Sequence, residues 1–252
     1  MSRSRWLTDI ADRPGVMVCC LPHAGAGSFG YRSWTPHLTS DEALAIGVLP
    51  GREHRLRERP ARSAPEVVEP LAAAIAARRR PSVLFGHSMG ALLAFGVAQW
   101  LRDNGGPEPL ALVVSGSGAP HLPRDLPQAG LLDDRTLIQL VRRLGGTPDA
   151  VFTEPALRDH VLGVLRADLA VAGSFVAAPG PVTCPVLGVH ARGDASVSAS
   201  AVREWVGYTS AQYRFVEIDG DHFSPVNDAA TFLRTLRTEL SGMCTRHRVT
   251  AC

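Results

Sequence analysis

Six short apolar runs, each set between longer segments with helical spacing, constrain this chain more than any other feature. They are Gly15–Leu21, Leu44–Leu49, Ser82–Phe85, Leu110–Ser115, Pro185–His190 and Tyr213–Ile218. Most are apolar throughout rather than alternating. A strand of that kind offers no face to water and belongs inside a parallel sheet covered on both sides. Between the runs, Pro70–Arg80, Ala91–Asp103, Ser200–Gly207 and Asp228–Leu240 carry helical spacing. Strands alternating with helices of this length predict an α/β fold, a mostly parallel central sheet flanked by helices.

One interval breaks the alternation. Residues 116–184 hold no convincing strand, yet "LLDDRTLIQLVRRLGG" and "EPALRDHVLGVLRADLAVAGSF" within it have helical spacing, punctuated by prolines. This reads as a helical insertion carried on the sheet, within one domain spanning residues 1–242. A lid over a binding cleft is the natural role, because lids exclude water and shape a pocket. Residues 243–252 lack apolar periodicity and read as a flexible tail.

Composition narrows the possibilities by exclusion. All 26 basic residues are Arg, but the net charge is only +2, so no large positive field points to nucleic acid. No apolar run approaches the ~20 residues of a membrane span, and the N-terminus has no apolar segment of the secretory kind. The five cysteines show neither a disulfide framework nor metal-ligand spacing, which fits reduced thiols in a cytoplasmic protein.

The chemistry centres on "LFGHSMGALLAF", Leu84–Phe95. Gly86-His87-Ser88-Met89-Gly90 is a G-x-S-x-G pattern between a strand-like and a helix-like run, the context of a nucleophile elbow. A serine hydroxyl needs a base to take its proton, and the base needs an orienting group. In the α/β-hydrolase order the acid follows the serine and the histidine comes last. His222, in "DGDHFSP", follows the last strand and fits the base. His87 lies inside the elbow and is expected to point away, His190 is in a strand, and His247 is in the tail. Asp194, directly after "PVLGVH", fits the acid, with Asp219 and Asp221 as competitors that share the His222 loop. Acyl transfer also needs donors for an oxyanion. Met89 N–H, next to the nucleophile, supplies one. The loop "LPHAGAGSFGY" (Leu21–Tyr31) supplies the other, assigned to Ala24 with Gly25 as fallback.

With these pieces placed, the chain resembles the discrete (type II) thioesterases of polyketide and nonribosomal-peptide assembly lines. The segments that carry the resemblance are Cys20–Trp34, Leu49–Glu58, Phe85–Phe95, Ser115–Asp125, Leu140–Phe152, Val164–Phe175 and Gly220–Pro225, within about residues 15–240. It implies an α/β-hydrolase fold, hydrolysis of acyl groups from the phosphopantetheine arm of acyl or peptidyl carrier proteins, and an editing role. By position it makes Ser88 the nucleophile, Asp194 and His222 its partners, Ala24 and Met89 the oxyanion donors, and the insertion a lid. The acid loop departs from the family's Gly-Asp-x-Asp-Pro: here it reads Ala191-Arg192-Gly193-Asp194-Ala195. "AGAGSFG" likewise departs from the more usual Ala-Gly-Gly-Ser.

Such chemistry needs no metal or redox cofactor, since the pantetheine belongs to the substrate. Arg52, Arg55, Arg57, Arg59 and Arg78–Arg80 could meet an acidic carrier surface or the arm's phosphate, although exposed Arg clusters more often form solvated faces. Two alternatives remain open at this stage. One is a small-molecule carboxylesterase or lipase on the same fold, the other a non-catalytic hydrolase-fold partner of a megasynthase.

Overall fold

The computed structural model describes residues 4–124, 132–144 and 149–244. Among these residues seven strands form one sheet: β1 (Leu7–Ala11), β2 (Val16–Leu21), β3 (Glu42–Gly47), β4 (Ser82–His87), β5 (Ala111–Ser115), β6 (Val186–Ala191) and β7 (Tyr213–Ile218). Their order is β1-β3-β2-β4-β5-β6-β7. Every pairing from β3 to β7 is parallel, and only β1 runs antiparallel, on the outer edge of β3. The six expected strands are present. β1 is the one the apolar pattern missed, because "LTDIA" buries a single residue fully, as an edge strand can.

Burial on both faces follows residue by residue. Met17, Cys19 and Leu21 of β2, Leu84 of β4, and Leu112 and Val114 of β5 enter one core, beneath α1 (Pro65–Ala76) and α2 (Met89–Asp103). Their neighbours Val18, Cys20, Val83, Phe85 and Val113 enter the opposite core. There Trp34, on the 3-10 segment Ser28–His37, and Phe232, on α7 (Ala229–Cys244), stack around Phe85 at ring separations of 5.2 and 5.1 Å. Cys19, Cys20 and Cys184 are free and buried, and burial pushes the Cys19 thiol up to about 12.

Several boundaries differ from the sequence reading, and the expected helix Ser200–Gly207 divides into an α-helix at Ala199–Arg203 and a 3-10 segment at Glu204–Tyr208. β3 ends at Gly47, because the chain leaves the sheet for the loop that carries Arg52, although Val48 and Leu49 are buried. α1 starts five residues before Pro70 and ends at Ala76. α7 runs to Cys244 with Met243 buried, so the expected tail is helical at its start. Residues 245–252, including His247, lie outside the described residues.

Among the described residues of the 116–184 interval the regular elements are helices. Among its described residues the sole β contact is an isolated bridge from Val182 to Thr209. It holds α3 (Asp134–Leu144), a 3-10 turn at Asp149–Phe152, and α4 (Pro155–Gly173). Leu137, Val141, Phe152, Leu162, Leu165 and Leu169 form a small core of their own. Val171, Ala172 and Phe175 anchor the end of α4 and the residues after it in the main core. The family-typical segment Gly145–Pro148 lies outside the described residues.

Candidate active site

Ser88 stands between the end of β4 and the first residue of α2, with φ 55° and ψ −120°. Its N–H donates to Ser115 O at 2.8 Å, so the residue is held by the neighbouring strand as it turns. From Ser82 to Gln99 it is the single residue that is not buried. The flanking glycines are steric requirements. A Cβ on Gly86 would stand 2.0 Å from Gly90 O, and one on Gly90 would stand 2.0 Å from Leu21 O. The turn therefore packs against itself and against β2, and lifts one hydroxyl outward. Met89 N–H lies at the N-terminus of α2, where no intrahelical acceptor exists.

Asp194 and His222 come from loops that follow β6 and β7, at the same carboxyl edge of the sheet. His222 Nδ1 is 2.7 Å from Asp194 Oδ2, and both residues are buried. Asp194 Oδ1 accepts from the N–H of Ser196 at 2.8 Å and from its hydroxyl at 2.5 Å. Burial alone would push the Asp194 carboxyl up. The hydrogen bonds from His222 and Ser196 outweigh it, and the pKa lies below the ordinary 3.8. Asp221 closes the turn that presents His222, accepting from Phe223 N–H and Ser224 Oγ, each at 3.0 Å. Arg192, the unusual residue of the acid loop, pairs with Asp219 of the next loop.

His222 meets the elbow through His87, the residue directly ahead of Ser88: their ring centroids are 4.7 Å apart. His87 thus packs against the candidate base instead of pointing away from it, and its ring also lies 5.8 Å from that of His23. Burial, then the neighbouring imidazoles, pull the His87 pKa well below 6.5; burial, then His222 and Arg52, lower His23 to about 4. Gly116, φ +59°, makes room for this cluster. A Cβ there would stand 2.5 Å from His87 Cε1 and 3.0 Å from His222 Cε1. His190 stays in β6, with its Nε2 3.1 Å from Val197 O.

The loop after β2 places Ala24 against both the main core and the small core of the insertion. Gly25 N–H donates to Asp168 Oδ2 of α4 at 2.7 Å. That donor is therefore engaged, which favours Ala24 over Gly25 in the pair considered from sequence. Asp168 escaped the sequence reading, and its partner Arg52 was read there as a carrier-docking candidate rather than as half of a buried ion pair. The available signal was a lone carboxylate at helical spacing within the leucine stripe of α4.

Most of the candidate docking arginines have structural partners. Arg52 and Arg55 are buried; Arg55 pairs with Glu58 at 2.7 Å and lies 3.8 Å over the Trp6 ring. Arg78 pairs with Asp9, and Arg80 donates to Gly15 O, at the edge of the sheet away from Ser88. Arg57 and Arg59 remain exposed on the near side, and Arg79 is exposed on the far one. Among the described residues no cluster of three His, Cys, Asp or Glu could hold a metal ion, and no helix is long and apolar enough to cross a membrane.

A serine elbow between strand and helix, with histidine and acid loops at the carboxyl edge of a mostly parallel sheet, defines the α/β-hydrolase fold. Within that fold the chain belongs to the thioesterase-domain family, whose model matches residues 17–240, and it is a thioester hydrolase. It is 32% identical over 210 residues, 82% of each chain, to the gramicidin S biosynthesis protein GrsT of Aneurinibacillus migulanus. It is 34% identical over 217 residues, 84% of this chain and 76% of the other, to thioesterase PikA5 of Streptomyces venezuelae. Among solved structures it is similar to RedJ, a thioesterase from the prodiginine biosynthetic pathway of Streptomyces coelicolor. That likeness has TM-score 0.82 and 37% identity over 91% of this chain and 89% of that one.

Proposed function

We propose that this thioesterase is a discrete editing enzyme of polyketide or nonribosomal-peptide biosynthesis, hydrolysing acyl groups from the phosphopantetheine arm of acyl or peptidyl carrier proteins. The observation that carries the chemistry is the juxtaposition of an outward serine at φ 55° with the Asp194–His222 pair, whose imidazole packs on the residue before that serine. The names of relatives from gramicidin S and prodiginine biosynthesis support the carrier-bound substrate.

Hydrolysis proceeds in two steps. Ser88 Oγ attacks the thioester carbonyl while His222 Nε2 takes its proton; Asp194 holds Nδ1–H and stabilises the imidazolium. The N–H groups of Met89 and Ala24 receive the oxyanion. The pantetheine thiol then departs with the proton from His222. Water, deprotonated by His222, attacks the acyl-serine; the C–Oγ bond breaks, His222 returns the proton to Ser88 Oγ, and the free acid leaves. A thiol of pKa ~8.5 leaves readily, so discrimination falls to the acyl pocket rather than to leaving-group protonation. The helices of the 116–184 insertion act as its lid, and the exposed Arg57 and Arg59 are the basic groups left to meet the carrier.

The test compares turnover of an acyl-carrier thioester with that of a matched oxygen ester, for the parent and for Ser88→Ala. Preference for the carrier thioester, abolished by the alanine, is the expected result. Preference for the oxygen ester would make the protein a carboxylesterase, and full activity in Ser88→Ala would remove the serine mechanism.

A further inference from the structure

Asp168 is a carboxylate in an apolar setting. It lies on α4 between Leu165 and Leu169, both in the insertion's core, and it is 1% exposed. An ion so placed costs several kcal/mol unless its lone pairs are met. Arg52 meets them, donating from Nη2–H to Oδ1 at 2.6 Å and from Nη1–H to Oδ2 at 2.8 Å. The third bond to the carboxylate comes from the Gly25 N–H. Arg52 Nη1 also donates to Ala26 O at 2.6 Å. The ion pair therefore grips the loop after β2 from two sides, by a donor at Gly25 and an acceptor at Ala26.

Packing repeats the same connection. Ala24 belongs to the edge of the insertion's core as well as of the main core, and the position a Cβ would take on Gly25 is 3.6 Å from Leu165 Cδ1. Gly25 itself has φ +80°, a conformation that an unheld loop would share with many others. A buried ion pair is a poor device for stability alone, since apolar residues of equal volume often do as well or better. Its distinctive property is a fixed geometry, and the peptide it fixes adjoins the one whose N–H points from Ala24.

Resting on the serine-hydrolase reading above, we infer that Asp168 is the positioning residue of the oxyanion loop and makes the hole conditional on α4 being seated. With α4 seated, the carboxylate sets the Ala24–Gly25 peptide and the donor beside it. With α4 displaced, Gly25 N–H and Arg52 lose their partner and the loop is released. The acyl pocket and the oxyanion hole then form and dissolve together, so an open lid does not hydrolyse.

Two charge-neutral double variants isolate the loop contact. Arg52→Met with Asp168→Asn keeps a carbonyl oxygen for Gly25; Arg52→Met with Asp168→Leu removes it. Turnover of an acyl thioester, affinity for an alkylboronic acid that forms a tetrahedral adduct on Ser88, affinity for the product acid, and melting temperature are measured on each. The asparagine double is expected to keep kcat within about fivefold of the parent. The leucine double is expected to lose about 100-fold in kcat and a like factor in boronate affinity, with KM and product affinity little changed. Equal kcat and boronate affinity in the two folded doubles would overturn the inference. If the leucine double does not fold, Asp168→Glu takes its place: it keeps the charge and moves the carboxylate by one methylene, and it should melt near the parent with kcat down about tenfold. Parent-like kcat there overturns the inference equally. A parent without thioester turnover would instead sink the underlying reading, whereas an active parent with an inactive Ser88→Ala and indistinguishable doubles sinks the coupling alone.

Discussion

The carboxylate of Asp194 and the imidazole of His222 belong to loops that follow neighbouring parallel strands, β6 and β7, and their Oδ2 and Nδ1 stand 2.7 Å apart. Neither loop could hold the other by sequence proximity, since 28 residues separate them. The sheet brings them together, and Ser196 fixes the remaining carboxylate oxygen.

Asp194→Asn tests that pair. An amide neither stabilises an imidazolium nor selects the Nδ1–H tautomer, so kcat should fall by about 10³–10⁴-fold with KM little changed. Ser196 Oγ lies 3.0 Å from His222 Nδ1 and offers a weaker substitute acceptor. Asp194→Asn with Ser196→Ala should therefore fall further than Asp194→Asn alone. Steady-state kinetics on an acyl thioester decide it, and equal rates in the two variants would show that Ser196 does not help to orient the ring.

Ser88 occupies a backbone region that disfavours any side chain. Ser88→Gly should abolish hydrolysis and at the same time stabilise the fold by about 1 kcal/mol, the relieved strain less the entropy of glycine. Urea unfolding of parent and variant measures this. A variant less stable than the parent would mean that the elbow stores no strain.

Two glycine substitutions with opposite expected outcomes test the packing around the elbow. Gly90→Ala would drive a methyl to 2.0 Å from Leu21 O and should destabilise by more than about 3 kcal/mol, or prevent folding. Gly163→Ala, at an exposed position of α4 with nothing within 4 Å of its Cβ position, should stabilise by about 0.5–1 kcal/mol. Thermal melts of the pair read both effects.

The buried imidazoles predict the pH dependence of stability. His23 is lowered to about 4 from 6.5, first by burial, and His87 is lowered in the same direction. Below pH 6.5 the unfolded chain takes up protons that the native one does not, so stability is complete above that value and declines as pH falls toward 4. His23 accounts for up to about 2 kcal/mol of loss between pH 7 and pH 5. Urea midpoints at the two pH values should shift less in His23→Phe than in the parent. An equal shift would mean that His23 is as easily protonated in the native state as in the unfolded one.

The sequence by itself determined the layers and the position of the serine turn between β4 and α2. Runs such as "MVCCL" and "LALVVS" can satisfy both faces only inside a covered parallel sheet, and Gly-His-Ser-Met-Gly has room for one conformation at the strand–helix junction. It also pointed to His222 and Asp194, because the ends of strands are where loops converge. Tertiary structure alone decided what those loops touch. β1 was invisible because an edge strand needs few apolar residues. The partners of Arg52, Arg55, Arg78 and Arg80 were invisible because a guanidinium in sequence does not reveal whether water or a carboxylate will meet it. The grip of Asp168 on Gly25 spans 143 residues of chain. Periodicity records which way a side chain faces, whereas such a contact depends on how two separately folded segments are laid against each other.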